Sequence, residues 1–276
     1  MTLPESSRPA RPLHHPASRT AGRNIVTIAS GKGGVGKTVL AISLTHAIAR
    51  EGRRSLLFDG DLGLANVDVQ LGLVPEHDLG AVVAGRLRLA DAVTRFPEGG
   101  FDILAGRSGS GSLAALGRAE LQALREDLFA LAAGYDAIVL DLGAGIDQPV
   151  RALTVPSGPK LVIATEEPTS LTDAYAFIKV TAAQIPGADI RIVVNMATSK
   201  AEAQRTYEKL RRACENFLKL SPPLAGIVHR DDKVRDAIRH QTAIFIRHPN
   251  SRVASDIEAL AQSLCRELES GGSPGG

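Results

Sequence analysis

Residues Asn24–Ala49 read NIVTIASGKGGVGKTVLAISLTHAIA. An apolar, β-rich run (Ile25, Val26, Ile28) enters a glycine-rich turn at Gly31, and an apolar-periodic helix leaves it near Lys37. Strand, loop, helix is the order a phosphate site needs. Gly31–Thr38 fits GxxxxGK[ST] in full. Glycines let consecutive backbone N–H groups turn toward one anion, and the N-terminus of the following helix adds partial positive charge. The candidate nucleotide cradle is therefore Gly31, Lys32, Gly33, Gly34, Val35, Gly36, Lys37, Thr38 and Val39. Lys37 is expected to reach the β- and γ-phosphates, and the Thr38 hydroxyl to ligate Mg²⁺. One lysine suffices for the loop's own phosphates, so a second, Lys32, points to a role the ordinary loop lacks.

KGGVGKT is the deviant form of the Walker A motif, and from here the chain resembles the MinD/ParA family of ATPases. The resemblance implies a P-loop α/β fold: a doubly wound, mostly parallel sheet with helices on both faces. It also implies ATP and Mg²⁺ as ligands, slow ATP hydrolysis, and an ATP-dependent homodimer in which Lys32 crosses to the partner's nucleotide.

The 276 residues, 44% of them hydrophobic, suffice for one large α/β domain. No apolar run reaches membrane-spanning length and the first residues carry no signal-peptide core, so a cytoplasmic protein is expected. Recruitment to a cell pole or the inner membrane surface would go through a partner. Cys214 and Cys265, without CxxC spacing, suggest neither a disulfide framework nor a zinc site. A net charge of +2 does not by itself argue for nucleic acid.

Residues 1–23, rich in Pro and Arg, read as a disordered tail, 24–268 as the ATPase domain, and 269–276 as a flexible Gly/Ser tail. Arg54–Asp59 (RSLLFD) reads as a strand continuing into DGDLGLANVDVQLGL. Acids at the carboxyl end of a buried strand lie where open α/β sheets bind ligands. By resemblance Asp61 is the switch aspartate that orients the attacking water, and Asp59 the acid supporting Mg²⁺ and the loop; turn capping is the competing reading of each. Residues 78–93 read as one or two short helices, Phe101–Ala105 as a strand, RSGSGS (Arg107–Ser112) as a linker, and Arg118–Ala133 as a helix.

YDAIVLDLGAGI (Tyr135–Ile146) is an apolar strand ending in Asp141, the Walker B pattern whose carboxylate holds Mg²⁺ through its water shell. Lys160–Thr165 reads as a strand followed by a helix with Thr169 as N-cap, and Asp189–Asn195 as another strand. The family uses an asparagine at Asn195 for the adenine base; a turn Asn is the rival reading. Lys200–Leu220 reads as a solvated helix, and Leu224–Val228 as the last strand. The loop after it, including Asp231, closes over the base in the family, with His229 where a proline is usual.

The stripe Val253, Ile257, Leu260, Leu264 and Leu268 reads as core packing rather than a lipid-facing helix, since acids outnumber arginines and aromatics are absent. Direct membrane binding is not expected from it. DGDLGLANVDVQLGL, DLGAGI, EEPTSLTDAYAFIK and DDKVRDAIR together resemble the FlhG/FleN/YlxH regulators of flagellar number more than septum-placing or DNA-segregating relatives. That implies control of flagellar number or placement, with FlhF, flagellar switch proteins and, in some members, a FleQ-like transcription activator as partners. Residues 1–23 hold no DQAxxLR-like segment of the kind carried by members that stimulate FlhF, which puts that activity in question. A partition-type DNA binder, through Arg230–Arg252 cations, and a P-loop iron–sulfur reductase are the readings not favoured.

Overall fold

The computed structural model describes residues 22–106 and 116–270. The Pro/Arg-rich tail through Ala21, the RSGSGS segment and the run from Gly271 lie outside them; Gly22 and Arg23 stand in a turn that leads into the first strand. In chain order the elements are β1 (Ile25–Ser30), α1 (Lys37–Arg50), β2 (Ser55–Gly60), α2 (Val67–Leu71), α3 (Leu79–Val83), β3 (Thr94–Phe96), β4 (Phe101–Leu104), α4 (Arg118–Ala132) and β5 (Ala137–Ala144). They continue with α5 (Gln148–Leu153), β6 (Lys160–Ala164), α6 (Pro168–Gln184), β7 (Ile190–Ala197), α7 (Lys200–Leu218), β8 (Leu224–His229), α8 (Asp232–Arg239), α9 (Ile244–Arg247) and α10 (Arg252–Glu269).

The described strands form one sheet in the order β3-β4-β2-β5-β1-β6-β7-β8. Every pair is parallel except β3 with β4. Its inner strands are near-continuous apolar runs because helices cover both faces and water reaches neither. On one face Leu56, Phe58, Leu140 and Val162 pack under α4 and α6 through Leu121, Leu124, Leu128, Phe177 and Ile178. On the other, Val26, Ile28, Val139 and Ile163 meet Leu40, Leu44 and Ile48 of α1 and Ile257, Leu260 and Leu264 of α10. The α10 stripe is thus core, as its composition predicts, and each such aliphatic side chain contributes about 1.5–3 kcal/mol on full burial.

β1 lies between β5 and β6, with β2 to β5 all on one side of it and β6 to β8 on the other. This is the topological switch point, where a crevice opens beyond the carboxyl ends of the strands. The loop Gly31–Gly36 leaves β1 into that crevice.

Five short elements were not expected: α2, β3, α5, α8 and α9. Residues 78–93 form α3 and a separate 3₁₀ turn at Leu89–Ala92. One boundary is a correction with a physical reason. The N-cap of α6 is Glu167, not Thr169, because Pro168 takes the first helical position, where its fixed φ suits the helix and its missing N–H costs nothing.

Candidate functional site

A cleft of about 1000 Å³ opens at the switch point. Of the expected site residues, Gly33, Gly34, Gly36, Lys37, Thr38, Val39, Asp61, Asn195 and Asp231 line it. Asp59 and Asp141 lie beneath its floor, each 1% exposed, and Val35 is buried in the loop's underside. Gly31 and Lys32 lie on the flank facing α6.

The loop owes its path to two close approaches. Gly36, at φ 87, occupies the left-handed region, and a Cβ there would come 2.5 Å from Asn195 Nδ2. That nitrogen donates to the Val35 carbonyl at 2.7 Å, so Asn195 braces the loop from β7 in addition to lining the cleft. Gly31 meets the backbone of α6: a Cβ would come 2.0 Å from the Asp173 carbonyl oxygen. Gly31→Ala is therefore expected to lower stability by about 1–3 kcal/mol through overpacking, read as a lower urea midpoint at unchanged slope. Nucleotide affinity should fall with it, since the loop must shift to relieve the contact.

The charges at the mouth of α1 explain one another. Lys37, 9% exposed, has its ammonium pushed below the ordinary lysine value by burial, with Asp141 and Asp61 pulling the other way. Asp141 is pushed up to about 7, first by burial and then by Asp61, against the Thr38 hydroxyl and Lys37. Asp59 is pushed up to about 8 by burial and by Asp141, against backbone N–H groups of Val67 and Asp61. Asp141 and Asp61 share one buried ammonium, and Asp59 sits against both of them, which leaves the floor short of positive charge.

One oxygen of Asp141, Oδ1, is buried without a hydrogen-bond partner. An orphaned hard oxygen beside a threonine hydroxyl and a phosphate loop fits a Mg²⁺ ion, which takes few protein ligands and keeps water and phosphate oxygens. Accordingly, no cluster of three His, Cys, Asp or Glu residues among those described could hold a metal alone. Asp59 spends its oxygens on backbone: Oδ1 accepts from Asp61 N–H, and Oδ2 from those of Asn66 and Val67, each at 3.2 Å. It thereby folds the loop after β2 back on itself and starts α2. Asp61 Oδ1 accepts from the Leu64 N–H at 3.0 Å, and the carboxylate rests against Gly143 of β5.

The far end of the cleft is walled by β8, α8 and the start of α10. Asp231 acts as N-cap of α8, accepting from the Lys233 N–H at 3.0 Å. His229 is buried and satisfied: its ring Nδ1 and its backbone N–H both meet Asp256 Oδ2, at 2.8 and 2.9 Å, tying β8 to α10. His240 and His248 both contact Asp236, so all three are satisfied side chains. Cys214 and Cys265 are buried in α7 and α10. Asp147, Gln148 and Arg230 also line the cleft and were not singled out by any motif.

The family model of the CobQ/CobB/MinD/ParA nucleotide binding domain matches residues 26–244. Antiactivator FleN of Pseudomonas aeruginosa is 35% identical over 240 residues, covering 87% of this chain and 85% of FleN. The flagellum site-determining protein YlxH of Helicobacter pylori is 28% identical over 247 residues, covering 89% and 83% of the two chains. Among solved structures, septum site-determining protein MinD of Pyrococcus horikoshii, complexed with Mg-ADP, superposes with a TM-score of 0.75 at 23% identity over 91% of this chain and 99% of that one. A ParA-family ATPase of Chlorobium tepidum gives 0.73 at 19% identity, over 88% and 100%. Among the described residues no helix is long and apolar enough to cross a membrane. With its motif loop at the switch point and both acids where the loop needs them, the chain belongs to the CobQ/CobB/MinD/ParA nucleotide-binding family.

Proposed function

We propose that this protein is an ATP-hydrolysing switch that pairs with a second copy of itself and regulates how many flagella are built, or where. The observation that supports the chemistry is the convergence of Lys37, Thr38, Asp141 and Asp61 on one cleft at the head of α1. The biological reading is supported by 35% identity to antiactivator FleN over 87% of the chain.

ATP is bound by the loop's N–H groups, with Lys37 neutralising the β- and γ-phosphates. Thr38 and Asp141 would hold Mg²⁺, whose chemistry is to neutralise charge on the phosphate oxygens. Asp59 holds the loop after β2 in place, and Asp61 on that loop orients the attacking water. The far wall, with Asn195 and Asp231, receives the base. Two chains that face each other bring like phosphate charges together, so closure needs a bridging cation, and Lys32 supplies it to the partner's nucleotide. Flagellar assembly proteins such as FlhF or switch components, and a FleQ-like activator, are the partners that read the paired state.

The test is electron microscopy of a strain carrying Lys37→Ala at the native locus. More flagella, or misplaced ones, with normal septa are expected. Unchanged flagella with minicells or lost chromosomes would move the switch to division or partition.

A further inference from the structure

Lys32 turns away from the cleft and onto its own chain. Its Nζ donates to Glu167 Oε2 at 2.7 Å and to Thr169 Oγ1 at 2.9 Å, both at the start of α6. The main chain beside it is fixed on two sides. Ser30 Oγ donates to the Lys32 carbonyl at 2.6 Å, and Gly31 abuts the Asp173 backbone one turn into α6. Loop and helix therefore hold the ammonium in register with its two acceptors. The Glu167 carboxyl sits below the ordinary glutamate value through its bond to Lys32, with a smaller contribution from Arg230.

We propose that Glu167 and Thr169 are positioning residues that park Lys32 in cis, and that two chains pair only when a partner's triphosphate takes Lys32 from them. The inference rests on the reading of Lys32 given above. A carboxylate that followed Lys32 into the partner's site would add negative charge where phosphate charge is already concentrated, so the lysine must exchange one acceptor set for the other. Glu167 carries one charge and is well hydrated, its side chain 62% exposed, so the parked state is shallow. A γ-phosphate in a closing, water-poor interface outcompetes it. An empty chain, or one holding a diphosphate, offers Lys32 less than the contact it would give up. The parking contact thereby sets a threshold that keeps unloaded chains single.

An exposed ion pair of this kind shifts an equilibrium by only about two- to fivefold, but a dimer breaks two of them. Removing the acceptor charge should therefore tighten the dimer by about tenfold. The experiment is sedimentation velocity of the full chain over a range of concentrations, with Mg²⁺ and a slowly hydrolysed ATP analogue, and again with ADP. Glu167→Gln is expected to lower the dimer dissociation constant by about tenfold and Thr169→Val by less. Fluorescent-nucleotide affinity of the dilute monomer should not move, a readout that a general loosening of α6 would shift. On a Lys32→Ala background Glu167→Gln should change nothing. If Lys32→Ala abolishes pairing while Glu167→Gln leaves it unchanged or weakens it, the parking role is wrong and the reading of Lys32 stands. If Lys32→Ala pairs as tightly as the unaltered chain, both fall.

Discussion

Lys37→Ala is expected to weaken ATP binding by about 10²- to 10³-fold. The lysine is the cation of a buried cluster, with Asp141 and Asp61 as its nearest charges, and removing one partner from such a set costs about 2–5 kcal/mol. Tenfold in affinity corresponds to about 1.4 kcal/mol, so the stated range is about 3–4 kcal/mol, the middle of that span. Two losses add. The phosphates lose the ammonium that neutralises them, and Asp141, already pushed up to about 7, loses an opposite charge that favours its ionised form. Isothermal titration with a slowly hydrolysed ATP analogue and Mg²⁺ measures the effect, and far-UV circular dichroism shows that the variant is folded. Folding should survive, because Lys37 is itself held against its preference by burial. An affinity within threefold of the unaltered chain would place the nucleotide elsewhere.

What could be read from the chain and what could not divides along the range of the interactions involved. β1, β2, β5 and β6 are legible because strands covered on both faces carry apolar runs, and Asp59 in β2 and Asp141 in β5 announce themselves as acids closing such runs. The loop is legible because its glycines are dictated by conformation and close approach. By contrast α2 is only five residues long, and its first N–H groups are satisfied by Asp59, seven and eight positions earlier at the end of β2. No local propensity reports such a start. The α6 cap could have been found locally, since a proline inside the first turn marks the residue before it. The partners of Lys32 could not, as Glu167 and Thr169 lie 135 and 137 positions away. His229 illustrates the same limit: the Asp256 contact that ties it to α10 spans 27 positions.

Asp61→Ala should bind ATP within a few fold of the unaltered chain, pair with a second copy, and then fail to turn over, with phosphate release slowed about 10²- to 10³-fold. The carboxylate is built for position. Its own N–H is held by Asp59, its Oδ1 takes the Leu64 N–H, and Gly143 of β5 stands close enough behind it that a Cβ there would lie 3.3 Å from Oδ1. A group fixed on three sides and facing the cleft can present a lone pair to one water along a defined line, which is what in-line attack on a γ-phosphate demands. Asp61 also contributes negative charge beside Lys37, so its loss should not weaken phosphate binding. Asp61→Asn separates the two roles, because an amide oxygen can still accept from Leu64 while presenting no charge to the water. If the asparagine variant is as slow as the alanine one, the carboxylate's charge is what orients and polarises the nucleophile. If it recovers most of the rate, holding the loop was the larger part. Normal hydrolysis by Asp61→Ala would remove Asp61 from the reaction and leave the water to be placed by another group at the mouth of the cleft.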